Sequence, residues 1–489
     1  MVTAVATSES AVSFLDPNTV ERGGRIDFGE IVHAHLSQKL RAHGQEHLLQ
    51  FWQELSIEEQ ESLAAEILSI DFEQIQQLHN GFLNPTKTED VDVSRVEEPQ
   101  SVKPGESTRI SQEAARAVGE AALKTGLVGV VIVAGGQGSR LGFEHPKGMY
   151  PIGPASDATL FQILIEKIRA TSQRYETRIP LYLMTSPATH GETVEFLNAN
   201  DNFGLAGEDL HIFCQGTMPA VNMQTGQLVL KEKNALFFSP NGHGGMLEAL
   251  DTSGCLADMQ TRGVEHLFYC QIDNSLIECI RPEFVGYHIL SNSELTTQVI
   301  RKQSPSEKVG NVVSVDGKVQ MIEYSDLPEE LASARNDDGS LKVWAGNIAV
   351  HAFSVSFLER VAGQADALPF HFAQKKVPYF DAAGETVKPT EPNAVKFERF
   401  IFDLMPLAQR ALVVEADRES VYAPLKNAEG TESAEWVREK ISSLHTQWLA
   451  EAGIEVEPGS TVEISPLYAN SAEELAERRP NGQGGYYSC

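Results

Sequence analysis

The residues with the clearest chemical potential lie in a glycine-rich segment at the end of an apolar run. Val130–Val133 leads into Ala134-Gly135-Gly136-Gln137-Gly138-Ser139-Arg140-Leu141-Gly142, and Lys147 follows. A β-branched run of this kind is typical of a buried parallel strand. Glycines after such a strand leave backbone N–H groups open to an anion. Because the spacing matches neither G-x-G-x-x-G nor G-x-x-x-x-G-K-[ST], we predict a phosphate-binding loop of another type.

Three further polar residues are candidates because each lies near the end of a predicted strand or in a glycine turn. Gln215 is either a partner for the edge of a base or an ordinary loop residue. Asp273 either binds Mg²⁺ and nucleotide phosphates or caps the segment that follows. His243, between glycines, is either a hydrogen-bond donor to a ligand or a plain loop residue. Ligands of open α/β sheets bind at the carboxyl ends of the strands, which directs attention to these strand ends. A lone histidine such as His243 is more often a plain loop or core residue.

Composition excludes several classes of function. The formal charge is 39 − 68 = −29 without a long basic run, which disfavours a nucleic-acid partner. There is no apolar run of membrane-spanning length and no signal-like start, so we expect neither a membrane partner nor secretion. The five scattered cysteines predict reduced thiols and a cytoplasmic protein. The hydrolase motifs H-E-x-x-H and G-x-S-x-G are absent from the sequence.

Hydrophobic patterning predicts alternating strands and helices, and hence a mostly parallel, helix-covered sheet. Strands are predicted at Val128–Val133, Ile179–Met184, Leu210–Phe213, Val264–Cys270 and Thr296–Ile300. Helices are predicted at Thr159–Thr171, Ala188–Leu197, Gly245–Arg262 and Glu432–Ala452. Residues 308–350 carry turn dipeptides and predict an antiparallel excursion. We expect three domains: a helical N-terminal region (1–110), a central catalytic domain (111–390) and a mixed α+β C-terminal domain (391–489).

The chain resembles the UDP-sugar pyrophosphorylase family, and within it the UDP-N-acetylglucosamine pyrophosphorylase branch. The matching segments occur in order over a span of about two-thirds of the chain: Ala134–Gly142, Pro146–Tyr150, Thr159–Gln162, Gln215-Gly216, Pro219-Ala220, Asp273-Asn274, Val309-Gly310, Glu323–Ser325, Ala345–Ala349, Gln374–Tyr379, Lys396–Phe402 and Pro424–Ala428. The resemblance implies a central Rossmann-like nucleotide-diphospho-sugar transferase fold of the GT-A-like type. It also implies a uridylyltransferase that makes a UDP-sugar and pyrophosphate from UTP and a sugar 1-phosphate.

The resemblance also implies roles for individual residues. The uracil would be held by Gly135, Gly136, Gln215 and Gly242, and the nucleotide phosphates and Mg²⁺ by Asp273. The sugar would be bound by Gly310, Glu323 and Asn347, with Phe400 and Phe402 shaping its pocket, and Lys426 would meet the phosphates. Because two anions must approach in line, charge neutralisation should supply most of the rate. We expect Arg140 and Lys147 to screen the triphosphate, and Lys396 to offset charge on the attacking phosphate.

One position departs from the N-acetylglucosamine pattern. Enzymes of that branch typically read Asp-Gly-Asn-Gly-Gly, whereas this chain reads Asn241-Gly242-His243-Gly244-Gly245. We expect His243 to face the sugar. N-acetylglucosamine 1-phosphate is the first expectation, and a UDP-glucose, UDP-galactose or broad-specificity enzyme is the alternative. A non-catalytic nucleotide-sugar binding protein is a third reading, and a monomer is the expected state.

Overall fold

The computed structural model describes residues 28–84, 95–103, 105, 110–364, 367–478 and 486–488. The chain forms two compact units. The first comprises Met1–Leu83, Pro219–Phe237 and Gln374–Val395, and the second comprises Asn84–Met218, Phe238–Ala373 and Lys396–Cys489. The three-domain division at residues 110 and 390 stays a prediction.

The helices and strands of the described chain are numbered in chain order. The helices are α1 (Phe28–Ala42), α2 (Ile57–Leu68), α3 (Phe72–Leu83), α4 (Gln112–Lys124), α5 (Leu160–Tyr175), α6 (His190–Ala199), α7 (Met246–Thr252), α8 (Cys255–Arg262), α9 (Pro282–Leu290), α10 (Glu329–Ser333), α11 (Val355–Ala362), α12 (Arg418–Val421), α13 (Ala434–Glu451) and α14 (Ala472–Glu477). The strands are β1 (Val96–Glu97), β2 (Ser101–Val102), β3 (Val128–Val133), β4 (Leu181–Thr185), β5 (Leu210–Cys214), β6 (Thr217–Pro219), β7 (Val221–Asn222), β8 (Leu230–Glu232), β9 (Ala235–Leu236), β10 (Phe238–Pro240), β11 (His266–Gln271), β12 (Leu295–Arg301), β13 (Asn311–Val315), β14 (Lys318–Ile322), β15 (Ala345–Ser354), β16 (His371–Lys375), β17 (Tyr379–Phe380), β18 (Thr386–Val387), β19 (Ala394–Glu398), β20 (Ala411–Glu415), β21 (Val462–Ile464) and β22 (Tyr486–Ser488).

The first unit joins helices α1–α3 to short strands supplied by two later segments of the chain. Helix α2 begins with a capping box, in which Ser56 Oγ accepts from Glu59 N and the Glu59 carboxylate accepts from Ser56 N. The Gln45 amide connects the helical part to the segment 219–237. Its Nε2 donates to Gly226 O over 3.0 Å, and its Oε1 accepts from Leu228 N over 2.9 Å.

The second unit is built on a mixed sheet whose main path runs β2-β20-β12-β15-β11-β3-β4-β5. Strands β11, β3, β4 and β5 are parallel neighbours, and β20 is parallel to both β2 and β12. Strand β15 runs antiparallel between β11 and β12. The prediction of a central, mostly parallel sheet is therefore confirmed.

Both faces of the sheet are buried around β3 and β4, which explains why these two strands are almost continuously apolar. On β3, Val130 and Ile132 belong to the core that includes Leu164 of α5. Val131 points to the opposite core, which includes Met246 and Leu250 of α7. Successive side chains of a strand alternate between faces, so a strand with two covered faces has no polar side.

The predicted strands lie within a few residues of the observed ones, and β3 has the predicted bounds. The single helix predicted over Gly245–Arg262 is wrong. The structure divides it into α7 and α8 at Gly254, whose φ of +78° ends the first helix. The predicted antiparallel excursion is confirmed, since β13 and β14 form a hairpin through Asp316 and Gly317. Both turn residues have positive φ, as a two-residue type I′ turn requires.

Two sequence expectations concern thiols and membranes. Cys214, Cys255, Cys270 and Cys279 are free thiols, and Cys489 lies outside the described residues. Within the described ranges, no helix combines the length and the apolarity needed to cross a membrane.

Helices α4 and α9 approach each other backbone to backbone through two glycines. A Cβ at Gly119 would lie 1.9 Å from Pro282 O, and a Cβ at Gly286 would lie 1.7 Å from Ala115 O. Neither carbonyl can move without shifting its helix, so both positions require glycine. Helix α9 follows the loop after β11, and this crossing therefore supports the segment that carries Asp273.

We expect Gly286→Ala to lower the free energy of unfolding by about 1–3 kcal/mol, because the added methyl forces the two backbones apart. The matched control is Gly191→Ala in α6, where a Cβ meets no atom within 4 Å. Alanine there should be neutral or slightly stabilising. Denaturant unfolding of both variants checks this, and equal effects would contradict the close contact.

Candidate active site

A cavity of about 170 Å³ lies in the second unit where β11 ends. Strand β11 contributes its last residue, Gln271, to the wall, and Asp273 follows two residues later. This is the edge at which open α/β sheets bind ligands. Seven predicted site residues line the cavity together: His243, Asp273, Gly310, Glu323, Asn347, Phe402 and Lys426.

The segment that carries Asp273 is fixed by hydrogen bonds to residues 421–425. Asp273 O accepts from Leu425 N over 2.8 Å. The Asn274 side chain donates to Val421 O over 2.8 Å and accepts from Ala423 N over 3.1 Å. The Asp273 carboxylate forms no ion pair with any cation of the described residues. Its backbone is thus fixed while its charge is available to a ligand.

Lys426 is a cation of the same cavity wall, and the Asp273 charge acts on it. Its Nζ donates to the Tyr422 hydroxyl over 3.3 Å and lies 3.8 Å from the Glu432 carboxylate. Burial opposes the charge, but Tyr422, Asp273 and Glu432 outweigh it and raise the pKa of Lys426. Lys426 is therefore positively charged at neutral pH.

The glycine-rich loop brings Lys147 to the same segment. Lys147 N donates to Gly136 O over 3.0 Å, which folds the loop back on itself. Lys147 Nζ donates to Leu425 O over 3.3 Å. Since Leu425 precedes Lys426, the two predicted phosphate-binding lysines lie at neighbouring positions of the site.

Gly135 and Gln215 pack directly against each other. A Cβ at Gly135 would lie 2.7 Å from Gln215 Nε2, and the Gln215 side chain is buried. Ser186 Oγ donates to Gly135 O over 2.8 Å and fixes the loop from the other side. In contrast, a Cβ at Gly136 would meet nothing within 4 Å. The structure thus brings two of the four residues predicted to hold the uracil into contact, and it leaves open space in front of Gly136.

The second glycine turn is held against the chain at Arg399. Gly242 has φ of +84°, and a Cβ there would lie 2.4 Å from Arg399 O. Gly244 N donates to Arg399 O over 2.8 Å, and Arg399 N donates to Asn241 O over 2.7 Å. Only glycine fits this approach at position 242. The turn thereby places His243 beside the aromatic residues that follow Arg399.

His243 is a neutral ring with a defined tautomer. Its Nδ1 accepts from Ile401 N over 3.1 Å, so its hydrogen is on Nε2. Burial, with a smaller contribution from His371, lowers its pKa to about 4. The ring stacks on Phe400 with centroids 5.2 Å apart, and Phe402 lies 5.6 Å away. At neutral pH, His243 can therefore offer one N–H donor to the cavity and no charge.

His371 supports the other side of the same aromatic group. Its Nε2 donates to Asp403 Oδ2 over 2.8 Å, and its ring centroid lies 4.4 Å from that of Phe400. Burial disfavours the charged ring, but the hydrogen bond and charge of Asp403 outweigh burial and raise the pKa of His371. A raised folded-state pKa stabilises the fold below pH about 6.5, and that stabilisation is lost as pH rises through the folded pKa.

The predicted sugar-binding residues meet at an irregularity in the sheet. Asn347 N donates to Gly310 O over 2.8 Å, and Asn347 Oδ1 accepts from Ala349 N over 3.0 Å. The register of β12 with β15 shifts here, and Ala349 has φ of +55°. A strained non-glycine residue at a bulge is a common feature of functional sites. Burial and the charge of Asp326 raise the pKa of Glu323, which lines the same wall.

Several predicted residues do not line the cavity. Arg140 is exposed in the short turn Ser139–Leu141, and Lys396 is half-buried on β19. Phe400 lies behind the wall, against His243 and Phe402. Gly135, Gly136, Gln215, Gly242 and Lys147 lie beside the cavity rather than in its lining. The structure thus brings the sugar-side residues together most closely.

Sequence reasoning missed several residues of the site. Tyr422, Gln271 and His351 line the cavity, and His371 with Asp403 buttresses Phe400. The His371–Asp403 pair joins positions far apart in sequence, so no local pattern could indicate it. His351 follows Asn347 by four residues on the same strand, and a closer reading of that strand could have included it.

Comparison with known proteins decides the family. The family described as UTP–glucose-1-phosphate uridylyltransferase matches residues 72–453. The chain belongs to this family. It is 35% identical over 471 residues to human "UDP-N-acetylhexosamine pyrophosphorylase-like protein 1", covering 89% of this chain and 93% of that protein. It is 34% identical over 453 residues to "UDP-N-acetylglucosamine pyrophosphorylase" of Saccharomyces cerevisiae, covering 89% of this chain and 94% of that protein.

A solved structure of a similar protein has the same fold. The crystal structure of the uridine diphosphate N-acetylglucosamine pyrophosphorylase from Trypanosoma brucei, in complex with an inhibitor, superposes with a TM-score of 0.79. The match has 26% sequence identity and covers 94% of this chain and 96% of that one. The likeness thus extends over nearly the whole length of both chains.

We expect Asp403→Asn to lower the pKa of His371, because the carboxylate that outweighs burial is removed while burial remains. NMR titration of the His371 ring checks this. Asp326→Asn is the control, since Asp326 has the weaker influence on His371 and should produce a smaller shift. An unchanged His371 pKa in Asp403→Asn would contradict the pairing.

Proposed function

We propose that the chain catalyses formation of UDP-N-acetylglucosamine and pyrophosphate from UTP and N-acetylglucosamine 1-phosphate. The chain is a uridylyltransferase by family, and its relatives at 34–35% identity include proteins named for N-acetylhexosamine or N-acetylglucosamine. The observation that carries the proposal is the shared cavity. It joins Asp273 and Lys426, suited to phosphates, with Glu323 and Asn347, suited to sugar hydroxyls.

In the proposed reaction, a phosphate oxygen of the sugar 1-phosphate attacks the α-phosphorus of UTP, and pyrophosphate leaves. No covalent nucleophile of the protein is needed, because positioning and charge neutralisation lower the barrier. Lys426 and Lys147 lie at adjacent positions and would neutralise the phosphates. We propose that charge neutralisation of the phosphates also comes from Arg140 and Lys396, although both lie outside the cavity lining.

The residues present fit a Mg²⁺ ion held jointly with the nucleotide. In the described part of the chain, no group of three or more His, Cys, Asp or Glu side chains could hold a metal alone. The Asp273 carboxylate is available in the cavity, and Mg²⁺ typically takes one or two carboxylates, substrate phosphates and water. We propose that Asp273 is the protein ligand. Mg²⁺, when bound, would neutralise charge on the phosphates.

Uracil recognition is proposed for Gly135, Gly136, Gln215 and Gly242. The Gln215 amide offers a donor and an acceptor, which complements the N3–H and O4 edge of uracil. The packing of Gly135 against Gln215 fixes the amide, and the open face at Gly136 admits the planar base.

Sugar recognition is proposed for His243, Gly310, Glu323 and Asn347, with Phe400 and Phe402 as apolar walls. Glu323 and Asn347 would accept or donate hydrogen bonds to hydroxyls. Gly310 lets Met321 pack directly on the backbone of this wall, since a Cβ there would lie 2.6 Å from Met321 Sδ. The neutral His243 Nε2–H would donate to an acceptor oxygen of the sugar. The 2-substituent would contact the aromatic walls.

The finer architectural expectations remain predictions for this enzyme. These are a GT-A-like central domain flanked by a helical N-terminal region and a mixed C-terminal domain, a monomeric state and a cytoplasmic location. Size-exclusion chromatography with light scattering tests the monomer directly.

Release of pyrophosphate from UTP with a panel of sugar 1-phosphates tests the function. We expect the highest kcat/KM with N-acetylglucosamine 1-phosphate, with activity dependent on Mg²⁺. A higher kcat/KM with glucose or galactose 1-phosphate would identify that sugar phosphate as the preferred substrate. No release with any sugar would favour a nucleotide-sugar binding protein.

We expect Lys147→Ala to reduce turnover by about two to three orders of magnitude, the usual scale for loss of one such electrostatic contact. Initial rates of pyrophosphate release measure the effect. Lys124→Ala on the exposed side of α4 is the control and should retain full turnover. Near-normal turnover of a folded Lys147→Ala protein would contradict the assignment.

We expect His243→Asn to raise the preference for N-acetylglucosamine over glucose 1-phosphate by about tenfold. A carboxamide is smaller than an imidazole and adds an acceptor to the donor, which suits an acetamido group, and one such hydrogen bond contributes about 0.5–1.5 kcal/mol. The ratio of kcat/KM for the two sugars is the measurement. A ratio equal to that of the unsubstituted chain would show that His243 does not contribute to the choice of sugar.

A further inference from the structure

Lys167 is a cation outside the cavity, with a partly exposed side chain and an enclosed ammonium group. It lies on α5, and its Nζ donates to Ser275 O over 2.7 Å and to Ile277 O over 2.8 Å. These carbonyls follow Asp273 by two and four residues. Among the described residues, no carboxylate lies within ion-pair distance of Lys167. The ammonium is therefore bonded to the backbone of one loop rather than to a counter-charge.

This arrangement has a large energetic cost. An ammonium taken out of water without a counter-charge loses much of its hydration, and apolar residues of similar volume are often as good or better for stability. Burial lowers the pKa of Lys167 to about 8, against smaller opposing effects of Cys279, Glu278 and Cys270. Helix stability alone does not explain a lysine at this place.

The small cavity beside Lys167 does not explain it either. Its volume is about 30 Å³, which is room for roughly one or two water molecules. Lys167 lines it together with Glu278 and Glu463, so its charged groups have both signs. A metabolite does not fit there, and the hydrogen bonds to the loop remain the distinctive feature of Lys167.

The loop of residues 273–277 is held from two sides. On one side, Leu425 N and the Asn274 amide tie it to residues 421–425. On the other side, Lys167 provides the two hydrogen bonds from α5. The first set joins Asp273 to the segment of Lys426, and the second fixes the depth of the loop against the core.

We propose that Lys167 is a positioning residue that holds the Asp273 loop in the geometry needed for the metal-bound nucleotide. The inference rests on the proposed function. It assigns to Lys167 no contact with substrate, and its effect reaches the reaction through the carbonyls of Ser275 and Ile277.

The test compares Lys167→Met, which keeps length and removes the charge, with Lys167→Arg, which keeps the charge. We expect Lys167→Met to raise the half-saturating Mg²⁺ concentration about tenfold and lower kcat, with KM for the sugar 1-phosphate within twofold of the unsubstituted chain. Lys167→Arg should have a half-saturating Mg²⁺ concentration close to that of the unsubstituted chain. Calorimetric titration with UTP, with and without Mg²⁺, should show weaker binding for Lys167→Met only when Mg²⁺ is present.

Lys302→Met is the matched control. Lys302 is buried, and its Nζ donates to Asn311 Oδ1 over 2.6 Å, away from the Asp273 loop. Thermal melting reports the stability of each variant. An equal Mg²⁺ shift in Lys302→Met, or an unchanged Mg²⁺ dependence in Lys167→Met, would overturn the proposal. If Lys167→Met does not fold, folded Lys167→Arg becomes the test. A half-saturating Mg²⁺ concentration about tenfold above that of the unsubstituted chain in Lys167→Arg then overturns the proposal.

The two proposals fail separately. Absence of pyrophosphate release from the unsubstituted chain with every sugar would remove the proposed function. The Mg²⁺-dependent UTP titration would still decide the role of Lys167, because it needs no turnover.

Discussion

Leu425 N and Asp273 O, joined over 2.8 Å, connect the end of β11 to a segment about 150 residues further along the chain. The Asn274 side chain repeats this connection with two more hydrogen bonds. Because Tyr422 and Lys426 belong to the second segment, the position of the cation depends on the position of the carboxylate. Lys147 also donates to Leu425 O. The charged groups of the cavity therefore form one mechanical assembly, and the closely packed helices α4 and α9 support it from behind.

This assembly operates in a chain with a formal charge of −29, yet the proposed substrates are anions. Local arrangement resolves the conflict. The lysines of the site lie near the ends of strands. There, they and the backbone N–H groups border the same small cavity. Nearby acidic and phenolic groups raise the pKa of Lys426 and preserve its charge. Net charge thus describes long-range association, whereas binding depends on the groups within a few ångströms.

Sequence patterns predicted the strands and turns whose conformation depends mainly on their own residues. The β-branched run of β3 had to be a buried strand, and Asp316-Gly317 had to be a turn, because those residues strongly prefer such conformations. Gly254 was missed as a helix break, since one glycine is tolerated in many helices. The site residues came mainly from resemblance. The cavity gathers seven of them, but Arg140 and Lys396 lie outside its lining. The positive φ of Ala349 and the His371–Asp403 pair arise from tertiary contacts, which sequence spacing cannot encode.

The neutral state of His243 also affects the proton balance of folding. Above pH about 6.5 the ring is uncharged in both the folded and the unfolded chain, and it contributes no pH dependence. Below that value the unfolded chain binds a proton that the folded chain does not accept until pH about 4. Stability contributed at this position therefore declines as acidity increases through that interval. A ring kept uncharged beside Phe400 gives the pocket a constant hydrogen-bond pattern, and in return makes the fold sensitive to acid.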